Sequence, residues 1–173
     1  MKCECCSVWA MEDETPKQPE PRWLDAEEQR AWRVLGGVVV LLDSALDAQL
    51  RRDAGISHFE YGVLVALSGA SNKSLRMSRL AYLARGSLPR LSQVVARMEV
   101  EGWVHRSPDP TDGRYTIASL TDAGLDKVVA AAPGHVEEVR RLVLDPLTKA
   151  QLKQLTTIGA RILRAINPDD RFG

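Results

Sequence analysis

Between Ser87 and Arg97 the chain reads Ser-Leu-Pro-Arg-Leu-Ser-Gln-Val-Val-Ala-Arg, and these residue types at this spacing could read a nucleic acid. On a helix, at about 100° per residue, Leu91, Val94, Val95 and Met98 share one arc, while Pro89, Ser92, Gln93 and Ala96 lie opposite. Arg90 and Arg97 flank Gln93. A front of this kind suits a DNA groove, because Gln pairs with adenine, Arg with guanine or phosphate, and Ser with either. Ser87 is a good N-cap, and Pro89 falls in the first turn, where a missing N–H costs little. Arg114 follows the turn-rich run Pro-Asp-Pro-Thr-Asp-Gly. An arginine at a hairpin tip suits a narrow, electronegative minor groove. Asp112 is unfavourable beside phosphates unless it is paired, which predicts a structural role in that turn. The plain alternative for the helix is an amphipathic element with a solvated face.

Other reactive side chains point less clearly. Cys3, Cys5 and Cys6 crowd the start of the chain, and no other cysteine exists. Three thiols this close could bind a soft metal or sense oxidants, but their spacing matches no standard zinc pattern. The ordinary reading is a flexible tail with reduced, idle thiols, and a start at Met11 would remove all three. His58, His105 and His135 are far apart in sequence, and no motif sets a nucleophile beside a base. We therefore expect neither an enzyme nor a cofactor.

The elements that must position the reading residues are legible. Met77 to Ala84 is a short amphipathic helix, a break follows at Gly86-Ser87, and the longer helix runs to about Glu101 and stops at Gly102. Trp103–Ser107 and Tyr115–Leu120 read as two short strands. Helix, tight turn, helix and hairpin make a winged helix-turn-helix, which sets its second helix in a major groove. The chain has no net charge. Residues 72–120, however, hold eight basic and four acidic residues (net +4), and residues 1–30 four basic and eight acidic (net −4). Phosphate neutralisation depends on the local patch, not on the total.

Long helices surround this basic module. Asp25 opens the first, with apolar positions Trp32, Leu35, Val39, Leu42, Leu46 and Leu50; its middle is apolar nearly all round, as for a helix buried on two sides. Ser57-x-x-Glu60 is a capping box for a second helix reaching about Leu67. Thr121-Asp122 starts another, in which Pro133-Gly134 is expected to cause a kink or break. Thr148-x-x-Gln151 opens the last, stopped by Asn167-Pro168. The expected fold is mainly α with a small β-hairpin wing, in a homodimer built from the N- and C-terminal helices. Residues 1–22 are expected to be a disordered tail. Within residues 23–173, residues 56–121 form the DNA-binding lobe, and 23–55 and 122–166 the dimerisation helices. No signal peptide or membrane-spanning run is visible, so a cytoplasmic location with no membrane partner is expected.

From Arg90 onward the run RLSQVVARMEVEGWVHRSPDPTDGRYTIASLTDAG resembles the MarR family of bacterial transcriptional regulators. The resemblance centres on Asp112-Gly113-Arg114 followed by Leu120-Thr121, and extends to the LRMSRLA and AAPGHVEEVRRLV segments, covering roughly residues 25–166. It implies a homodimeric repressor of double-stranded DNA that binds an inverted repeat and is released by a small aromatic or phenolic ligand. It further implies that Arg114 reaches DNA from the wing, that Arg90 matches a family arginine, and that Asp112 pairs with an arginine, Arg97, to fix the wing. Pro89 and Gln93 depart from the pattern, standing where serine and arginine are common. Trp32, His58 and Tyr61 are candidates to line a ligand pocket, against their ordinary roles as core or interface.

Overall fold

In the computed structural model, which describes residues 20–168, Asp25 starts the first helix as its position predicts. Its carboxylate accepts the Glu27 and Glu28 amides at 2.7 and 2.8 Å, and Glu28 returns the bond to the Asp25 amide at 3.0 Å. Helix α1 runs from Ala26 to Ala54. Contacts divide the chain into one unit ending at Gly36 and a second from Gly37. In the first, Trp23 and Trp32 are 82% and 64% exposed. Cys3, Cys5, Cys6, Met11 and most of the expected tail lie outside the described residues.

The second unit holds the remaining elements. Helix α2 (His58–Ser68) begins at the expected capping box, with both the Ser57 and Glu60 bonds made. A 3-10 turn leads to strand β1 (Ser74–Arg76), and helices α3 (Met77–Leu83) and α4 (Leu88–Val100) follow. Strands β2 (Val104–Pro108) and β3 (Thr116–Leu120) form the hairpin, within a residue of expectation at each start. Strand β1 has no counterpart among the elements expected from the sequence. Three residues are too short for a period-2 pattern, and β1 exists because β3 offers it a ladder. The sheet order is β1-β3-β2, all antiparallel, with Ser74 opposite Ser119 and Val104 opposite Leu120.

Helix α5 (Asp122–Val139) corrects another expectation. It passes through Pro133 unbroken, and the irregularity comes later, as a π-helical turn at Arg140–Leu144. Packing on both sides of the proline supplies the reason. Ala131 is buried in the core, and the backbone of Gly134 lies against Gln49. One lost ladder bond does not break a helix that tertiary contacts hold on either side. Helix α6 (Lys149–Ile166) starts at the expected Thr148–Gln151 capping box.

The core lies between α2, α3, α4 and the sheet, where Leu64, Leu67, Leu80, Leu91, Val95 and Ala118 are fully buried. The terminal helices differ. Helix α6 buries none of its residues. Its Leu155, Ile158, Ile162 and Ile166 are 36–73% exposed, as are Val38 to Leu41 on α1 at 51–70%. Among the described residues, no helix is long and apolar enough to cross a membrane.

Candidate nucleic-acid interface

Helix α4 sits on the core by the predicted arc: Leu91, Val94, Val95 and Met98 are at most 5% exposed. Ser87, Pro89, Arg90, Gln93 and Arg97 are exposed, and Ser92 is half-buried. The Ser87 hydroxyl accepts the Arg90 amide as the N-cap, so its polar atom is already engaged in starting the helix.

The break before α4 falls at the expected Gly86-Ser87. The residue in left-handed backbone there is Arg85, at φ +54°. The Gly86 amide reaches back to the Ala81 carbonyl and the Arg85 amide to that of Tyr82, closing α3 in a Schellman arrangement. Gly86 makes room for a side chain: a Cβ there would press on the Phe59 ring. The same ring lies under the Arg90 guanidinium, 4.2 Å away. Phe59 on α2 thus sets both the turn and the first arginine of α4, a role invisible in a sequence where it reads only as an apolar helix position.

Arg97 does not hold the wing. It donates to Glu60 at 3.1 Å, and Glu60 also accepts the Ser57 amide and hydroxyl. Burial alone would raise the Glu60 carboxyl, but the Ser57 bonds and Arg97 outweigh it and hold the group below its ordinary value. Asp112 pairs instead with Arg114, two residues on, through bonds of 2.7 and 2.9 Å. The expected Asp112–Arg97 pair is therefore replaced by two pairs. Each arginine takes the nearest carboxylate: the cap of α2 for Arg97, and its own turn for Arg114. The Arg114 side chain remains 85% exposed.

The wing is anchored by residues outside the candidate reading set. Asp109 is 6% exposed and accepts the Thr111 amide and hydroxyl at 2.8 and 2.7 Å, while Arg76 from β1 donates to its other oxygen. These bonds, those from Thr111 first, lower the Asp109 pKa to about 2. Arg76 also donates to the Thr111 hydroxyl and stacks over the Tyr115 ring at 4.5 Å. A second clamp joins α4 to β2, where Glu99 accepts the Arg106 amide at 2.8 Å and its guanidinium Nε at 2.6 Å. An Asp two residues before a Thr is an Asx-turn signal that could have identified Asp109; the Arg76 partner, 33 residues away, had none.

Of the three histidines, the fold brings two together. The His58 ring lies 5.6 Å from His135, which lies 4.6 Å from Tyr61. His58 pairs with Asp43 at 2.8 Å, and the buried Nδ1 of His135 makes no hydrogen bond. Trp32 belongs to the N-terminal unit. Among the described residues, no cluster of three or more His, Cys, Asp or Glu side chains could hold a metal ion.

The three-stranded sheet, the α3–α4 pair and the hairpin define a winged helix-turn-helix protein. Sco3205 of Streptomyces coelicolor, a MarR family transcriptional regulator solved in complex with DNA, is 45% identical to this chain with a TM-score of 0.83, over 87% of this chain and 94% of that one. AbsC of the same organism, also of the MarR family, is 35% identical with a TM-score of 0.80, over 86% and 100%. The Bacillus subtilis helix-turn-helix regulator YdcH, itself uncharacterised, is 30% identical over 80 residues; the match spans 45% of this chain and only 54% of that relative's length. No protein-family model matches the chain. At the level of similarity to Sco3205 and AbsC, the chain belongs to the MarR family of transcriptional regulators.

Proposed function

We propose that the protein is a dimeric repressor that binds an inverted repeat in double-stranded DNA and is released by a small aromatic or phenolic ligand. The observation that carries the DNA reading is the front of α4. Arg90, Gln93 and Arg97 are exposed over a fully anchored back, and Arg114 is exposed on a wing held rigid by Asp109. Two cationic elements at fixed spacing suit a major groove and its adjacent minor groove. Gln93 favours adenine contacts. Dimerisation is supported by apolar α1 and α6 surfaces that one chain leaves uncovered. A two-fold pair would take half-sites about one helical turn apart. The ligand reading is supported by His58, Tyr61 and His135, which join α1, α2 and α5 through an incompletely bonded contact. A ligand that prefers one arrangement of these helices shifts the spacing of the reading helices.

The test is fluorescence anisotropy of duplex DNA from the region upstream of the gene, across a salt series, with wild type and an Arg90→Ala/Arg114→Ala variant. Tight, salt-steep binding by wild type and a clear loss in the variant are expected. Equal, weak binding by both to this DNA and to a scrambled control, together with a random-pool selection that enriches no sequence, would reject the DNA reading in favour of a protein-binding winged helix.

A further inference from the structure

We propose that Leu88 is a sequence-reading residue that recognises the 5-methyl group of thymine in the major groove, an assignment that rests on the DNA-binding reading above. Leu88 is the first residue of α4 and is 49% exposed, while the apolar residues of the inner arc are at most 5% exposed. It belongs neither to the hydrophobic core nor to the partly buried residues packed against it. The exposed apolar residues of α1 and α6 lie in stripes that a second copy of the chain can cover. Leu88 lies instead on the helix whose front carries the cations.

Its placement gives it a direction. Helical side chains slant toward the start of their own helix, so Leu88 reaches beyond the first turn of α4. In helix-turn-helix proteins that turn meets the base edges. On the wheel, at about 100° per residue, Leu88 lies at the edge of the inner arc, between buried Val95 and half-buried Ser92, on the side away from Arg90 and Arg97. The front therefore has a cationic flank for guanine or phosphate and an apolar flank that can offer no hydrogen bond. Among unmodified bases only thymine presents a methyl group in the major groove. A polar base edge set against Leu88 would lose water without gaining a partner. The residue then discriminates twice, by attraction to a methyl and by penalty against an unpaired donor or acceptor.

The experiment selects a binding site from a random duplex pool with wild-type protein, then replaces each thymine of that site with deoxyuridine. This removes the methyl and leaves every hydrogen-bonding group. One thymine position per half-site is expected at which the replacement weakens wild type about threefold to fivefold, the effect of one buried methyl. Leu88→Ala should bind the thymine site more weakly, ignore the deoxyuridine change, and keep wild-type affinity and salt slope on unrelated duplex. Leu88→Met, which keeps an apolar side chain of similar volume, should recover most of the sensitivity. Wild type that is indifferent to deoxyuridine at every position, or Leu88→Ala that is as sensitive as wild type, overturns the assignment while leaving DNA binding intact. A selection that enriches no sequence rejects the DNA reading, and the assignment with it.

Discussion

Single side chains decide how the wing is held. Asp109 accepts from Thr111 and Arg76, and its pKa is lowered to about 2. A carboxyl depressed in the folded state stabilises fully above its unfolded value, near ~3.9. That contribution is lost as pH falls from there to about 2, so the wing keeps this anchor at any physiological pH. Asp109→Asn and Arg76→Ala are each expected to accelerate hydrogen exchange at the Thr111 amide, to lower the melting temperature and to weaken DNA binding several-fold. Unchanged Thr111 exchange would show that the turn stands without them. His135 acts with the opposite charge sense. Burial, reinforced by the charge of His58, lowers its pKa. Its folded form disfavours the proton, so its contribution is complete above an unfolded value of ~6.5 and is lost as pH falls below it. The melting temperature of wild type should drop between pH 7.5 and 5.5 by more than that of His135→Phe; an identical drop in both would place the titrating group elsewhere.

Elements meet where backbone approaches backbone. A Cβ on Gly124 would collide with the Trp103 carbonyl, which also accepts the Thr121 amide at 3.0 Å, while the Thr121 hydroxyl donates to Gly102 and caps α5. The start of α5 is thereby locked to the start of β2. Gly124→Ala is expected to cost about 1–3 kcal/mol, the usual range for overpacking, seen as a lower denaturant midpoint at an unchanged m-value. Gly86→Ala should behave differently. The group it meets is a ring edge that can yield, but that ring also supports Arg90. A small stability change and a larger loss of DNA affinity are expected; intact affinity would remove Phe59 from the positioning of α4.

At the scale of the whole molecule, the uncovered apolar residues of α1 and α6 predict association. Leu155→Glu/Ile158→Glu is expected to give a folded monomer in sedimentation equilibrium with far weaker binding to an inverted repeat. A variant that remains dimeric would move the interface away from α6. For the wild-type dimer, Arg114→Ala should lower the slope of log affinity against log salt by about two, one phosphate contact per protomer.

Local physics was readable along the chain. The Ser57–Glu60 and Thr148–Gln151 capping boxes and the arc of Leu91, Val94, Val95 and Met98 involve residues within a few positions of one another, and the hairpin pairs residues 8 to 16 positions apart across one turn-rich loop. Each interaction therefore leaves its period or spacing in the sequence, and with it the winged helix-turn-helix class and the exposed arginines. Only the tertiary structure decided which partner each charged residue takes, whether Pro133 breaks its helix, and that β1 exists at all. Arg76 with Asp109, Arg97 with Glu60, and Phe59 beneath Arg90 join residues about thirty or more positions apart. A carboxylate binds the nearest guanidinium in space, and in a folded chain that distance is set by packing, on which sequence spacing is silent.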